Sequence, residues 1–265
     1  MENIIMSSIM PLIFIGHGSP KNAILENNYV KKIKHFGKTL IQNVNTIVCI
    51  SAHWNTEGVW ISGAEKLNTI YDFSGFPEDL YKIKYEPKGN KELALKIKNM
   101  LLDYEVSIDE KRGIDHGAWS VLMHLYPDAR IPVIQLSLNL NFKTADHYKM
   151  AQLLKPLRNE GILFIGSGNI VHSFFSFSPE ENAATPDWAR DFDNNIKTAL
   201  KNRDHNSIIR YRRIFGKNAK KSVPTEEHFL PLIYIIGLQE KEENVNFIYE
   251  EFQNASMSML SFIIQ

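Results

Sequence analysis

Short, unbroken apolar runs that alternate with amphipathic stretches constrain this chain more than any other feature of its sequence. Residues 11–15 (Pro-Leu-Ile-Phe-Ile) run without a polar break into Gly16, and residues 46–52 repeat the pattern. A run of that kind is what a strand buried on both faces requires. Residues 131–138 and 161–166 supply two more strands, and residues 58–63 an alternating one. Residues 245–250 and 256–264 form a late pair, joined as a hairpin through Asn254 and Ala255. Helical periodicity lies between the strands. In residues 28–42, Val30, Ile33, Phe36, Leu40 and Ile41 recur at threes and fours, which paints one helix face. Residues 90–102, 117–125, 144–159 and 187–201 behave in the same way. This alternation predicts an α/β fold, with a central, mostly parallel or mixed β-sheet flanked by helices. One domain over residues 10–265 follows a flexible lead-in over residues 1–9. The stretch 64–88 is too aromatic for a disordered linker and predicts a structured loop beside the site.

Charge and cysteine content narrow the function classes. Thirty basic residues balance thirty acidic ones, so no net field draws a polyanion such as nucleic acid. The basic clusters at Lys31–Lys34 and Arg210–Arg213 read as solvated helix faces. A single cysteine, Cys49, excludes an intramolecular disulfide and a thiolate-rich metal site. Its apolar strand makes it a buried, inert thiol. No apolar run approaches the ~20 residues that cross a bilayer, and the first residues lack a secretory pattern. A cytoplasmic protein without membrane contact is expected, as a monomer or a small homo-oligomer.

Several histidines stand where chemistry is expected. His17 lies in Phe14-Ile15-Gly16-His17-Gly18-Ser19-Pro20 and His53 in Cys49-Ile50-Ser51-Ala52-His53-Trp54, each just beyond a strand. In open α/β sheets, ligands bind outside the carboxyl ends of the strands. Imidazoles gathered there hold a metal ion or move protons near neutral pH. His172 closes the turn Gly166-Ser167-Gly168-Asn169-Ile170-Val171-His172, where Ser167 and Asn169 can donate to an oxygen-rich substrate. An ordinary turn with a left-handed Asn169 is the plainer account. His116 follows Asp115, a candidate N-cap of the apolar helix beyond it. His228 lies in Pro224-Thr225-Glu226-Glu227-His228-Phe229-Leu230-Pro231, with Thr225 as an N-cap candidate. Pro231 can kink that helix or begin it. Glu226 and Glu227 are alternative ligands or solvated helix-start acids. His35, His124, His147 and His205 fall on amphipathic helices or charged loops and receive no role.

Together these segments resemble the bacterial 4,5-DOPA extradiol dioxygenase family, within the class III extradiol ring-cleaving superfamily that includes the protocatechuate 4,5-dioxygenase catalytic subunit. The matching stretches are Phe14 to Pro20, Ser51 to Trp54, Tyr71 to Pro77, Asp115 to Trp119, Gly166 to His172, Pro186 to Ala189 and Thr225 to Leu232. The resemblance implies an enzyme with one divalent metal ion per chain, held by His17, His53 and His228. Fe(II) would serve activity, while Zn(II) can occupy the same site. His172 would be the catalytic acid/base or an additional ligand, and His116 would hydrogen-bond a reacting oxygen. The implied partners are a small catechol such as DOPA and O2, and the implied product is a yellow muconic semialdehyde. The residues that grip the substrate side chain are not legible; Arg112, Arg190 and the tyrosines of 71–85 are candidates. A zinc-dependent hydrolase, a tetrapyrrole chelatase and a non-catalytic binding protein on the same fold are rival readings of the same histidines.

Overall fold

A computed structural model describes residues 9–40 and 43–265. Six strands share one sheet: β1 (Leu12–Gly16), β2 (Thr46–Ser51), β3 (Val133–Gln135), β4 (Ile162–Gly168), β5 (Val245–Tyr249) and β6 (Ser261–Ile264). Their order across it is β3-β2-β4-β1-β6-β5. The first four are parallel, and β6 and β5 extend the sheet antiparallel beyond β1. This is the mixed α/β sheet that the alternation predicts. The main helices are α1 (Asn28–Thr39), α2 (Lys91–Met100), α3 (His116–Leu125), α4 (Thr144–Leu153), α5 (Asp187–Lys201) and α6 (Leu230–Leu238).

Every residue of β1, β2 and β4 is buried. Successive strand side chains point to opposite faces, so one sheet serves two cores. Leu12, Phe14, Val48, Ile50 and Phe164 pack with Ile97, Met150, Phe192 and Ile235 from α2, α4, α5 and α6. Ile13, Ile15, Ile47, Cys49 and Ile165 pack with Val30 and Ile33 of α1 and Trp119 and Leu122 of α3. Burial raises the Cys49 thiol well above its usual range, so it stays an inert core group.

Most of the lead-in expected over residues 1–9, and the end of the helix expected over 28–42, lie outside the described residues. Met10 is tied down: its N–H donates to the Arg158 carbonyl (3.1 Å) and its carbonyl accepts from Arg158 Nε (2.8 Å). Among the described residues, no helix is long and apolar enough to cross a membrane.

Four expected elements differ in extent. Residues 58–63 yield only Trp60–Ser62, which leaves the main sheet and pairs in parallel with Ser107–Asp109. The strand expected over 131–138 breaks after Gln135, where the chain turns from β2 towards Trp60–Ser62: Leu136 bridges Ile61, and Ser137 N–H donates to the Trp60 carbonyl (2.9 Å). Leu138–Asn139 then pairs with Asn55–Thr56. The helix expected over 144–159 stops at Leu153 and a 3-10 turn follows over Lys155–Glu160, as Pro156 lacks the N–H that would continue it. The late hairpin turns through Asn254 and Ala255, both at positive φ; β5 and β6 pair as its expected outer arms, and the short pair Phe252–Gln253 and Met257–Ser258 lies between them and the turn.

Register sets up one edge of the sheet. Gly16 pairs with Gly168 and Ser51 with Ser167, so β1, β4 and β2 end level at their carboxyl ends. The loops that leave this edge carry His17, His53 and His172.

Candidate metal centre

His17 comes first after β1, and its N–H donates to the Gly168 carbonyl (3.1 Å), which holds the residue against β4. His53 follows a turn after β2; its own N–H reaches Ser51 Oγ (3.2 Å). His228 arrives from a distant part of the chain, just before α6. A β-carbon on Gly168 would lie 2.2 Å from the His228 carbonyl, so only glycine lets that segment lie on the end of β4. The same carbonyl accepts from Asn169 N–H (2.8 Å).

The helix beyond His228 takes the later of the two starts that Thr225 and Pro231 allow. Helix α6 begins at Leu230 with Pro231 in its first turn, where a missing N–H costs nothing. Thr225 therefore does not cap it; its hydroxyl donates to Glu227 Oε1 (2.7 Å) instead. His228 sits in the turn ahead of the helix, with its backbone on the strand end.

The ligand-capable nitrogens of His17, His53 and His228 all lie within 4.8 Å of one another. His17 Nε2 and His53 Nε2 are 3.2 Å apart. Nitrogens bound to one ion at ~2.1 Å are separated by about 3.0–3.4 Å, so the spacing suits a shared ion. Each ring has a partner for its other nitrogen. Ser167 Oγ gives its one proton to the Gly117 carbonyl (2.5 Å) and so accepts from His17 Nδ1 (2.9 Å). This leaves the His17 lone pair on Nε2. His53 Nδ1 is 3.5 Å from Asp72 Oδ2, and His228 Nδ1 is 3.2 Å from Glu227 Oε1. Carboxylates or hydroxyls behind ligand imidazoles are the usual supports of a metal site.

The electrostatics agree with that use. Burial, then the neighbouring imidazoles, holds His17 and His228 well below the usual histidine range. Burial, followed by His116, lowers His53 to about 4. All three rings are neutral near pH 7 and have lone pairs to give. The donor set fits a divalent ion of the kind imidazole prefers, zinc or iron among them.

His116 is placed by α3. Asp115 caps this helix, accepting from Ala118 N–H (3.1 Å), as its position predicts. A β-carbon on Gly117 would fall 2.5 Å from Ser51 Oγ and 2.7 Å from the His53 ring, so glycine lets the helix start press against the site. The His116 and His53 rings lie 3.8 Å apart. Asp72 accepts from both His116 N–H (2.8 Å) and His116 Nδ1 (2.9 Å). Burial works against ionisation of Asp72, but the His116 contacts outweigh it and hold the carboxylate below its usual range. His53, Asp72 and His116 form a second group of suitable spacing. Its carboxylate is already engaged as a hydrogen-bond acceptor, so the three-histidine group is the better ion site.

His172 stacks face to face on His228, with centroids 3.5 Å apart and 3° between the planes. It is not a member of either ligand group. Its pKa is lowered to about 4, chiefly by burial, while Glu227 opposes the shift. Ser167 and Asn169, candidate substrate donors, instead hold structure. Ser167 orients His17, and Asn169 ties the Gly18 N–H (3.3 Å) to the Ser258 carbonyl (2.8 Å). Asn169 is not left-handed. Glu226 faces Tyr211 and Arg212 (2.9 and 3.0 Å), away from the cluster.

A cavity of about 780 Å³ opens over His53, His116, His172 and His228, and Phe73, Phe76, Phe174 and Phe177 also line it. None of Arg112, Arg190, Tyr71, Tyr81 and Tyr85 is on its wall. Arg112 lies over Trp54 and bonds Asp115; Arg190 bonds the Thr185 carbonyl. The expected loop beside the site does reach it, through Asp72, Phe73 and Phe76. Asp72 received no role from sequence; its only signal was its place in the stretch Tyr71 to Pro77. Another cavity, of about 620 Å³ beside α1, has a single histidine among its described lining residues, His124, whose Nε2 pairs with the Asn22 carbonyl (2.9 Å).

Comparison with known proteins points to one family. Residues 4–264 match the family described as the catalytic LigB subunit of aromatic ring-opening dioxygenase. A 4,5-DOPA dioxygenase extradiol of Escherichia coli (strain K12) is 36% identical over 98% of this chain and 97% of its own. A protein of the same name from Beta vulgaris is 37% identical, covering 96% of each chain. The crystal structure of an uncharacterized Escherichia coli K12 protein superposes with a TM-score of 0.82 at 32% identity, over 97% of this chain and 100% of that one.

Proposed function

Because this chain belongs to the family of catalytic LigB subunits of aromatic ring-opening dioxygenases, we propose that it opens the ring of a catechol by extradiol cleavage. The proposed ion site is His17, His53 and His228, and DOPA, cut at its 4,5 bond to a muconic semialdehyde, is the first substrate to test. The observation that carries this reading is the convergence of three neutral imidazoles, two of which, His53 and His228, stand on the wall of one cavity lined by phenylalanines. A bound Fe(II) supplies Lewis acidity towards the two catechol hydroxyls and electrons towards dioxygen, whereas Zn(II) in the same donors supplies only the first.

The protein side chains supply the rest. The phenylalanines of the cavity hold an aromatic ring and exclude water. His172, neutral at pH 7 and on the cavity wall, takes a proton from a catechol hydroxyl at whichever ring nitrogen faces it. Its stacking on His228 fixes the plane in which it can do so. His116 gives Nδ1–H to Asp72, so its Nε2 accepts in the neutral ring and donates in the imidazolium. The Asp72 carboxylate is the counter-ion for the second state, which stabilises negative charge developing on oxygen.

Protein loaded anaerobically with Fe(II) should, on admission of air, consume oxygen and yield a yellow product with DOPA or a related catechol. Bound iron without turnover across a panel of catechols would overturn the proposal. Ester hydrolysis by the zinc form, with no oxygen uptake, would favour a hydrolase.

A further inference from the structure

Among the described residues, three carboxylate or ammonium side chains line the cavity: Asp72, Lys21 and Glu181. Asp72 is committed to His116, which leaves Lys21 and Glu181 without a part in the histidine cluster. Glu181 is held in place. Its Oε1 accepts from Gln253 Nε2 (3.3 Å), and Gln253 Oε1 accepts from Asn22 Nδ2 (3.0 Å), which also donates to the His17 carbonyl (3.2 Å). Gln253 and Asn22 are each only 4% exposed, so a buried pair of amides joins this carboxylate to the backbone of a proposed metal ligand. The loop is pinned as well: Asn254 N–H donates to the Glu181 carbonyl (2.9 Å), and Asn254 Nδ2 to the Ser178 carbonyl (2.9 Å). A carboxylate can accept about four hydrogen bonds. Gln253 is the one side chain that donates to Glu181 among the described residues. Neither Glu181 nor Lys21 is in an ion pair there.

We propose that Glu181 and Lys21 read the substituent of the catechol, Glu181 binding a protonated amine and Lys21 a carboxylate. The preferred substrate then carries both charges on one side chain, while the phenylalanines take the ring. This rests on the ring-opening reading of the site and adds the residues that select among catechols. A hydrogen bond between charged groups contributes roughly tenfold in affinity where the bound ligand shields it from water.

The test uses four catechols: DOPA with both charges, dopamine with the amine only, 3,4-dihydroxyphenylpropionate with the carboxylate only, and 4-methylcatechol with neither. Binding to the anaerobic metal-loaded protein is measured by calorimetry, and turnover is measured in air. Glu181→Gln should reduce the preference for dopamine over 4-methylcatechol about tenfold, and Lys21→Gln the preference for dihydroxyphenylpropionate over 4-methylcatechol by a similar factor. DOPA should lose preference in both variants. Binding preferences that stay the same in both variants, or a wild type that prefers 4-methylcatechol to all three others, would overturn the proposal. If binding shifts as expected but no catechol is turned over, the ring-opening reading fails and this one stands.

Discussion

His17 and His147 are equally sealed from water, yet only one of them stands in a site. His17 is 3% exposed and His147 is fully buried, and burial lowers the pKa of both. His147, on α4, bonds Tyr234 Oη through Nδ1 (2.9 Å) and packs its ring on Phe142 and Tyr234. Its Nε2 finds no hydrogen-bond partner among the described residues. His17 also has a hydroxyl at Nδ1, but its Nε2 faces other imidazoles, with ring centroids 5.1 Å away at His53 and 5.3 Å at His228. Burial and a lowered pKa therefore do not identify a metal ligand. Convergence of lone pairs, each ring oriented from behind, does.

That contrast can be broken most directly by deletion. His17→Ala should reduce bound metal from about one ion per chain to near none and lower oxygen uptake at least ~1000-fold, since an open two-histidine remnant holds an ion weakly. Metal analysis after gel filtration, with His147→Phe as the buried-histidine control, decides it; full occupancy in His17→Ala would remove that residue from the site. His172→Ala should keep its metal and lose roughly 100- to 10,000-fold in kcat, the range of general acid–base catalysis. Loss of metal instead would make His172 a ligand.

His147 sharpens the comparison through pH. Its folded pKa of about 4 lies below the ~6.5 of an unfolded chain, so the unfolded state binds more protons between those values. The contribution to stability is complete above pH 6.5 and is lost as pH falls towards 4, about 3 kcal/mol in all. Urea unfolding should show wild type losing that much more than His147→Phe over the window; parallel curves would refute it. The smallest effect is expected at Asp72→Asn, which weakens support of both His53 and His116. Chelator competition should show metal affinity lower by about 10- to 100-fold, and unchanged affinity would confine Asp72 to His116 alone.

Legibility differed sharply between parts of the site. His17 and His53 could be found because each directly follows an apolar run, and a strand end is a local feature of sequence. His116 and His228 stand out by their neighbours, and of the two readings that Pro231 allows, the structure takes the one in which it begins α6, which leaves His228 in the turn ahead. Asp72 had no such marker: it lies in a long loop and meets His116 across 44 residues of sequence. The role of Ser167 was equally hidden, since its partner His17 is 150 residues away.

Periodicity and unbroken apolar runs act over a few residues, so sequence alone determined the layered α/β architecture, the strands buried on both faces and the histidines at their carboxyl ends. Tertiary structure alone decided which nitrogens meet. The order β2-β4-β1 brings three loops level at one edge, close packing at Gly168 and Gly117 admits His228 and His116 to them, and the group behind each ring directs its free lone pair inward. Those contacts join residues far apart in the chain, where no local spacing rule operates.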